Sequence, residues 1–195
     1  MSLYQFLIFI HVLGAVALFV AIGIEAVALG RLRRAETPAA ARVWLGLFRM
    51  PGRLGPTAML TALASGAWMM KVSWGYQPWI AGALAAIVGM AVIGGVVSRR
   101  RMRRLRVALA AESGPELSEA LRSSPALVMS LRLRIALGVG ILALMTMKPS
   151  DHASAILVLA AAVLAALVAS IPLATRAVNT GSIRNERTIE APGRI

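Results

Sequence analysis

The first long apolar run, residues 3–29, constrains this chain more than any other feature. It reads LYQFLIFIHVLGAVALFVAIGIEAVAL, and a helix needs only about 20 apolar residues to cross the hydrocarbon core of a bilayer. The run lacks the basic segment and the small-residue cleavage site that mark a cleaved signal peptide. We therefore predict a retained transmembrane helix.

Two ionisable residues, His11 and Glu25, interrupt this run. They are 14 residues apart, which is about 21 Å along a helix axis and places them on nearly the same face. Leu18 and Ile22 share that face, so we predict that it points into a helix bundle. Ionisable groups inside a membrane helix are costly, and this makes both residues candidates for function.

The composition extends the membrane interpretation to the whole chain. Hydrophobic residues make up 58% of its 195 residues and are gathered in long blocks, as in integral membrane proteins. The chain has no cysteine, which excludes disulfides, thiolate metal sites and cysteine nucleophiles.

The apolar blocks predict an all-α bundle of five transmembrane helices within one domain, residues 1–175. A polar segment, residues 176–195, is predicted to form a flexible cytoplasmic tail. The third helix is predicted to continue past its span as far as Glu112, because nothing breaks it earlier. The five predicted spans are 3–29, 54–72, 79–97, 126–147 and 153–173.

A shorter element is predicted between the first two spans. Thr37 followed by Pro38 is a typical helix start, with threonine as the N-cap and proline at the first helical position. The segment 38–48 is predicted to form a short helix in the membrane interface with Trp44 at headgroup level. An ordinary structured loop is the alternative.

The placement of basic residues predicts the orientation. The chain carries 19 arginines, of which six lie in 31–53, nine in 99–134 and four in the tail. The opposite side holds only Lys71 and Lys148. Because cytoplasmic loops are enriched in basic residues, we predict an external amino terminus and a cytoplasmic carboxyl terminus.

The net charge of +13 indicates lipid rather than nucleic acid as the partner. Arginines clustered beside a membrane span attract anionic headgroups, and no aromatic residues are interleaved with them as in nucleic-acid-binding segments. Assembly into a homo-oligomer or a larger membrane complex is a further alternative.

The chain has no motif for hydrolytic chemistry, so we do not predict an enzyme of that kind and leave enzymatic activity otherwise open. His11 lies about 12 Å below the outer end of its helix. Small residues at the same depth of the other spans leave room for a flat macrocycle such as haem, for which histidine is a usual axial ligand. The alternative is that they allow close helix packing while His11 hydrogen-bonds across the bundle. The small residues at that depth include Gly66, Gly89, Gly140 and Ala161.

The roles of two further sets of intramembrane residues stay open, each with two interpretations. Met69 and Met145 lie nearer the outer surface than His11, and thioethers with an imidazole suit copper(I); methionine is also an ordinary packing residue. Glu25 is either the buried partner of an arginine, with Arg31 and other loop arginines available, or one end of a proton path with His11.

The sequence also resembles a known family. LIFIHVLGAVALFVAIGIEA is similar to the first helix of the bacterial integral membrane proteins grouped as domain of unknown function 2269. LRIALGVGILALMTMKP resembles their later helix, which ends in a Met-x-x-Lys-Pro pattern that here comprises Met145, Lys148 and Pro149. The resemblance implies a multi-pass protein of the bacterial inner (cytoplasmic) membrane.

A more distant resemblance bears on a cofactor. The His-Val-Leu-Gly helix is similar to those of copper-resistance D type proteins and of HemJ-type protoporphyrinogen oxidases. In the latter, a first-helix histidine and a lysine are implicated in haem b binding; His11 matches the histidine, and Lys71 matches the lysine only by its place at the end of the second span. Three functions therefore remain: a haem b redox protein, a transporter or copper-handling protein, and a structural or accessory subunit.

Overall fold

Every element of the structure is helical in the part of the chain that the computed structural model describes, residues 2–35, 37–98, 100, 103, 107 and 125–169. Two of the α-helices continue as π-helix, α3 through Met70–Trp74 and α4 through Ile93–Ser98. The α-helices are α1 Leu3–Leu32, α2 Pro38–Leu47, α3 Arg49–Met69, α4 Pro78–Val92, α5 Pro125–Met147 and α6 His152–Val168.

Helix α1 has the predicted division into an inward and an outward face. Gly14, Ala21 and Ile22 are buried against the other helices, which confirms that the face carrying Leu18 and Ile22 points into the bundle. Large apolar side chains on the outward face are at least half exposed, a pattern expected of a surface that contacts lipid rather than water. They include Leu3, Phe6, Phe9, Val12, Leu13 and Val16.

Within the described ranges, three helices are long and apolar enough to cross a membrane, at Leu3–Leu32, Pro78–Val96 and Ala126–Met147. They coincide with the first, third and fourth predicted spans. The second predicted span, 54–72, corresponds to α3 and the start of its π-helical continuation. Helix α3 is 21 residues long but starts with Arg49 and is rich in small and polar residues.

The fifth predicted span corresponds to α6, an apolar helix of 17 residues. Its predicted end at residue 173 and the tail 176–195 lie outside the described residues, as does most of the predicted extension of the third helix to Glu112.

The short element before α3 is a helix, as the Thr37–Pro38 pair predicted. Thr37 is its N-cap, and its hydroxyl accepts a hydrogen bond from the backbone N–H of Ala40 at 3.2 Å. Ala41 and Leu45 are buried against the carboxyl-terminal half of α1, in the same apolar cluster as Leu32. Packing against α1 therefore holds α2 in place.

The long helices pack side by side, and several of the contacting pairs are distant in sequence. Helix α3 lies along α1, while α5 lies beside α1, α4 and α6. Glycines mark the closest approaches between α4, α5 and α6. Gly82 faces Leu144, Gly89 faces Leu137 and Gly140 faces Leu159. Helix α1 is therefore the element that joins α3 to the rest of the bundle.

Asp151 starts α6 and carries a pH-dependent prediction. Its carboxylate accepts hydrogen bonds from the backbone N–H and the hydroxyl of Ser154, both at 2.8 Å. These bonds favour the charged form and lower the pKa of Asp151 from its ordinary value of 3.8. Because the folded pKa is the lower one, the contribution to stability is present above the ordinary pKa and is lost as the pH falls through the folded pKa.

We therefore expect the first turn of α6 to fray selectively in acid. Amide hydrogen exchange at Ser154, measured between neutral pH and about pH 3 and corrected for intrinsic exchange rates, should show protection falling below the ordinary aspartate pKa. Replacing Asp151 with Ala should remove the pH dependence and leave the amide poorly protected at every pH. Unchanged protection of Ser154 in D151A would contradict the capping role.

Candidate functional site

The candidate site is centred on His11, whose imidazole faces α3. The ring nitrogen Nδ1 lies 2.9 Å from the backbone carbonyl oxygen of Ala62 and 3.4 Å from the hydroxyl of Ser65. A carbonyl oxygen only accepts hydrogen bonds, so Nδ1 carries the proton. In the neutral imidazole, the lone pair is then on Nε2, the atom that remains available to a ligand.

Small residues on both helices allow this contact. A side chain at Gly14 would put its Cβ 2.9 Å from the backbone nitrogen of Ala62 and 3.1 Å from the carbonyl oxygen of Ala58. At Gly66, a Cβ would lie 3.1 Å from Cε1 of His11. The small-xxx-small spacing of Ala58 and Ala62 is typical of membrane helices in close contact.

Ser65 is the only member of a polar stripe on α3 that faces α1. Thr57 and Thr61, eight and four residues earlier, are exposed, and their hydroxyls donate to backbone carbonyls of α3 itself. The Ser65 hydroxyl is buried and donates to the Thr61 carbonyl at 2.6 Å. Ser65 therefore lies beside the His11 ring as a buried polar neighbour whose own hydrogen bond is satisfied.

Aromatic residues close the end of the α1–α3 pair at which α1 begins. The indole N–H of Trp74 donates to the Tyr4 hydroxyl at 3.0 Å, and the Trp74 and Trp79 rings pack edge to face with centroids 5.8 Å apart. The amine of Lys148 lies 4.2 Å from the centroid of the Trp74 ring, a cation–π contact. Lys148, from the Met-x-x-Lys-Pro pattern, therefore helps to close this end.

Lys71, the lysine suggested as a haem-binding partner, lies on the π-helical extension of α3 with its side chain exposed. It is five residues beyond Gly66, so helical geometry turns it well away from the face that contacts His11. The hydrogen-bonding partners of His11 are Ala62 and Ser65. The structure therefore does not bring Lys71 and His11 together.

The two methionines suggested as metal ligands lie in different places. Met69 is half-buried and one turn beyond Ser65, on the face of α3 that meets α1. Met145 packs instead against a separate buried cluster that includes Trp79 and Leu144. Among the described residues, no group of three or more histidine, cysteine or acidic side chains could hold a metal ion.

The layer of small residues at the depth of His11 is largely filled by neighbouring side chains. A Cβ at Gly89 would lie 3.5 Å from Leu137, and one at Gly140 would lie 3.0 Å from Leu159. Of the small residues considered for this layer, Gly66 contacts the His11 ring. A flat ligand held by His11 would therefore lie at the α1–α3 pair and not across the centre of the bundle.

Glu25 is paired with an arginine, but not with one from the adjacent loop. Its carboxylate forms an ion pair with the guanidinium of Arg134 on α5. The side chains are only 14% and 12% exposed. Arg31, the nearest arginine in sequence, instead lies over the Trp44 ring, 5.8 Å from its centroid.

Arg134 is the residue whose importance the sequence did not reveal. In the prediction from sequence it counts only as one of the nine arginines in 99–134 that indicate orientation. Its position inside the run LRIALG, next to apolar residues on both sides, is the signal that could have singled it out.

A comparison of the chain with protein families, curated proteins and solved structures found no match.

Proposed function

We propose that this chain is a five-span protein of the bacterial inner membrane that binds haem b through Nε2 of His11 and transfers electrons. One observation carries the proposal. The Ala62 carbonyl holds Nδ1 at 2.9 Å, and histidine ligands are characteristically fixed in this way, with the other nitrogen left free to bind the metal. The resemblance of the His-Val-Leu-Gly helix to that of HemJ-type proteins supports haem binding, and the resemblance to the family of domain of unknown function 2269 supports a multi-pass protein of the bacterial inner membrane.

The proposed topology rests on helix length and arginine placement. The 21 residues of α3 span about 31 Å, close to the thickness of the hydrocarbon core. The 17 residues of α6 reach the lower limit for a span. With these two helices added to the three apolar ones, the 19 arginines fall on one side, which we assign to the cytoplasm.

The residues around His11 could hold a haem at the α1–α3 pair. Ala62 orients the imidazole, and Ser65 and Gly66 line its edge. A bound haem would supply one-electron redox chemistry at its iron. The protein would set the ring orientation of His11 and keep water away from it through the close contact at Gly14.

Haemin titration of the purified protein in mild detergent tests the proposal. We expect one haem per chain in the wild type and none bound specifically in His11→Ala. His152→Ala is the matched control, because His152 is the only other histidine and lies at the outer end of α6. Equal haem binding by the wild type and His11→Ala would refute the assignment of His11 as the ligand.

A further inference from the structure

The cytoplasmic half of the bundle contains a cavity of about 520 Å³ between α1, α3, α4 and α5. This volume is within the range of small-molecule sites, about 300–1,000 Å³. The cavity does not include His11, and nothing in the proposed redox role uses it. Its lining gives it two chemically different ends.

One end of the cavity is charged. Glu25, Arg134 and Arg103 all line it, so its wall has one carboxylate and two guanidinium groups, a net charge of +1. Glu25 pairs with one terminal nitrogen of Arg134, but the Nε of Arg134 is buried and has no hydrogen-bond partner among the residues that the structure describes. A buried donor left unsatisfied costs about 1–3 kcal/mol, so an acceptor oxygen supplied by a ligand would be stabilising.

The other end is apolar. Leu18 and Met59 line the cavity there, and Leu18 is seven residues, or about 10 Å, from Glu25 along α1. The cavity therefore leads from guanidinium groups, at the end of the helices where the arginines cluster, toward apolar side chains deeper in the helices. A ligand with an anionic head and an apolar chain matches this order.

We propose that the cavity binds one anionic phospholipid, with its phosphate at Arg134 and Arg103 and part of an acyl chain along Leu18 and Met59. Basic pockets between membrane helices on the cytoplasmic side suit anionic headgroups. This site differs from general attraction of lipid to the loop arginines, because its ligand enters a defined space between helices. The proposal rests on the proposed membrane topology and is independent of haem.

Lipid binding to the purified full chain in neutral detergent tests the site. We expect native mass spectrometry to show one retained phosphatidylglycerol, and the thermal midpoint to rise with phosphatidylglycerol but not with phosphatidylcholine or inorganic phosphate. Equal effects of the two lipids would overturn the proposal. A phosphatidylglycerol effect reproduced by inorganic phosphate would assign the cavity to the free anion and overturn the lipid assignment.

Two variants with matched controls locate the binding. Arg103→Ala should weaken phosphatidylglycerol binding about tenfold, the loss expected for one charge-assisted hydrogen bond. Gly95→Leu should fill the cavity, since Gly95 lines it and a Cβ there meets no atom within 4 Å. Arg53→Ala and Gly30→Leu are the controls, because neither residue lines the cavity.

Both controls should bind phosphatidylglycerol like the wild type. Arg103 is exposed, so its replacement leaves the packed core intact and keeps the test valid even if Gly95→Leu disturbs α4. Wild-type affinity of Arg103→Ala for phosphatidylglycerol would contradict the placement of the lipid phosphate at Arg103. A loss of affinity in Arg53→Ala equal to that in Arg103→Ala would show general surface attraction and would overturn the defined site.

Discussion

Replacement of Glu25 by alanine is expected to destabilise the protein by about 3–5 kcal/mol, the usual cost of removing one partner of a buried ion pair. The reason is the location of Arg134, whose side chain is only 12% exposed. Glu25→Ala would leave that guanidinium buried without its carboxylate, and within the described part of the chain its Nε already has no hydrogen-bond partner. The loss would be measured as the change in free energy of unfolding in a denaturing-detergent titration.

A double-mutant cycle separates the ion pair from packing effects. Arg134→Met keeps much of the side-chain volume, and the double variant Glu25→Ala/Arg134→Met should recover most of the stability lost in Glu25→Ala, because no buried charge remains. Arg53→Ala, at an exposed arginine, should change the free energy of unfolding by no more than about 0.5 kcal/mol. Strictly additive effects in the cycle would contradict a coupled pair.

Replacement of Gly14 by leucine is expected to cost about 3 kcal/mol, in the upper part of the range for overpacking. The first added carbon would lie 2.9 Å from the Ala62 nitrogen and 3.1 Å from the Ala58 oxygen. Both are backbone atoms, so no rotamer change can relieve the contact and α1 and α3 must separate. That separation would also weaken the hydrogen bond between His11 and Ala62, so haem binding should fall together with stability.

The matched control for this substitution is on the same helix. A Cβ at Gly23 meets no atom within 4 Å, and the residue is exposed, so Gly23→Leu should change stability by no more than about 0.5 kcal/mol. Thermal unfolding in detergent compares the two variants directly. Equal midpoints for Gly14→Leu and Gly23→Leu would show that close contact of α1 and α3 is not required.

The helices themselves were predictable because their signals are local. Apolar runs predicted the positions of α1, α4 and α5, and the Thr37–Pro38 pair predicted the start of α2. The inward face of α1 followed from the spacing of His11 and Glu25 alone. Each of these features depends on residues that are neighbours along one helix, so helical periodicity is sufficient to find them.

The partners across the bundle were not predictable because they depend on which helices become neighbours and in what register. Glu25 is 109 residues from Arg134, and no local pattern predicts that α1 and α5 become neighbours at these two residues. Gly89 and Gly140 could equally have opened space for a ligand, but Leu137 and Leu159 fill it. The cavity beside Arg134 likewise arises only from packing.

A reduced-minus-oxidised visible absorption spectrum of the protein, purified in mild detergent from haem-sufficient cells, tests the central claim most directly. If His11 is an axial ligand, the wild type shows the Soret and α bands of a b-type cytochrome, and these bands are absent in His11→Ala and intact in His152→Ala. A spectrum without haem bands at full protein yield would contradict the claim and leave His11 as a residue that hydrogen-bonds α1 to α3.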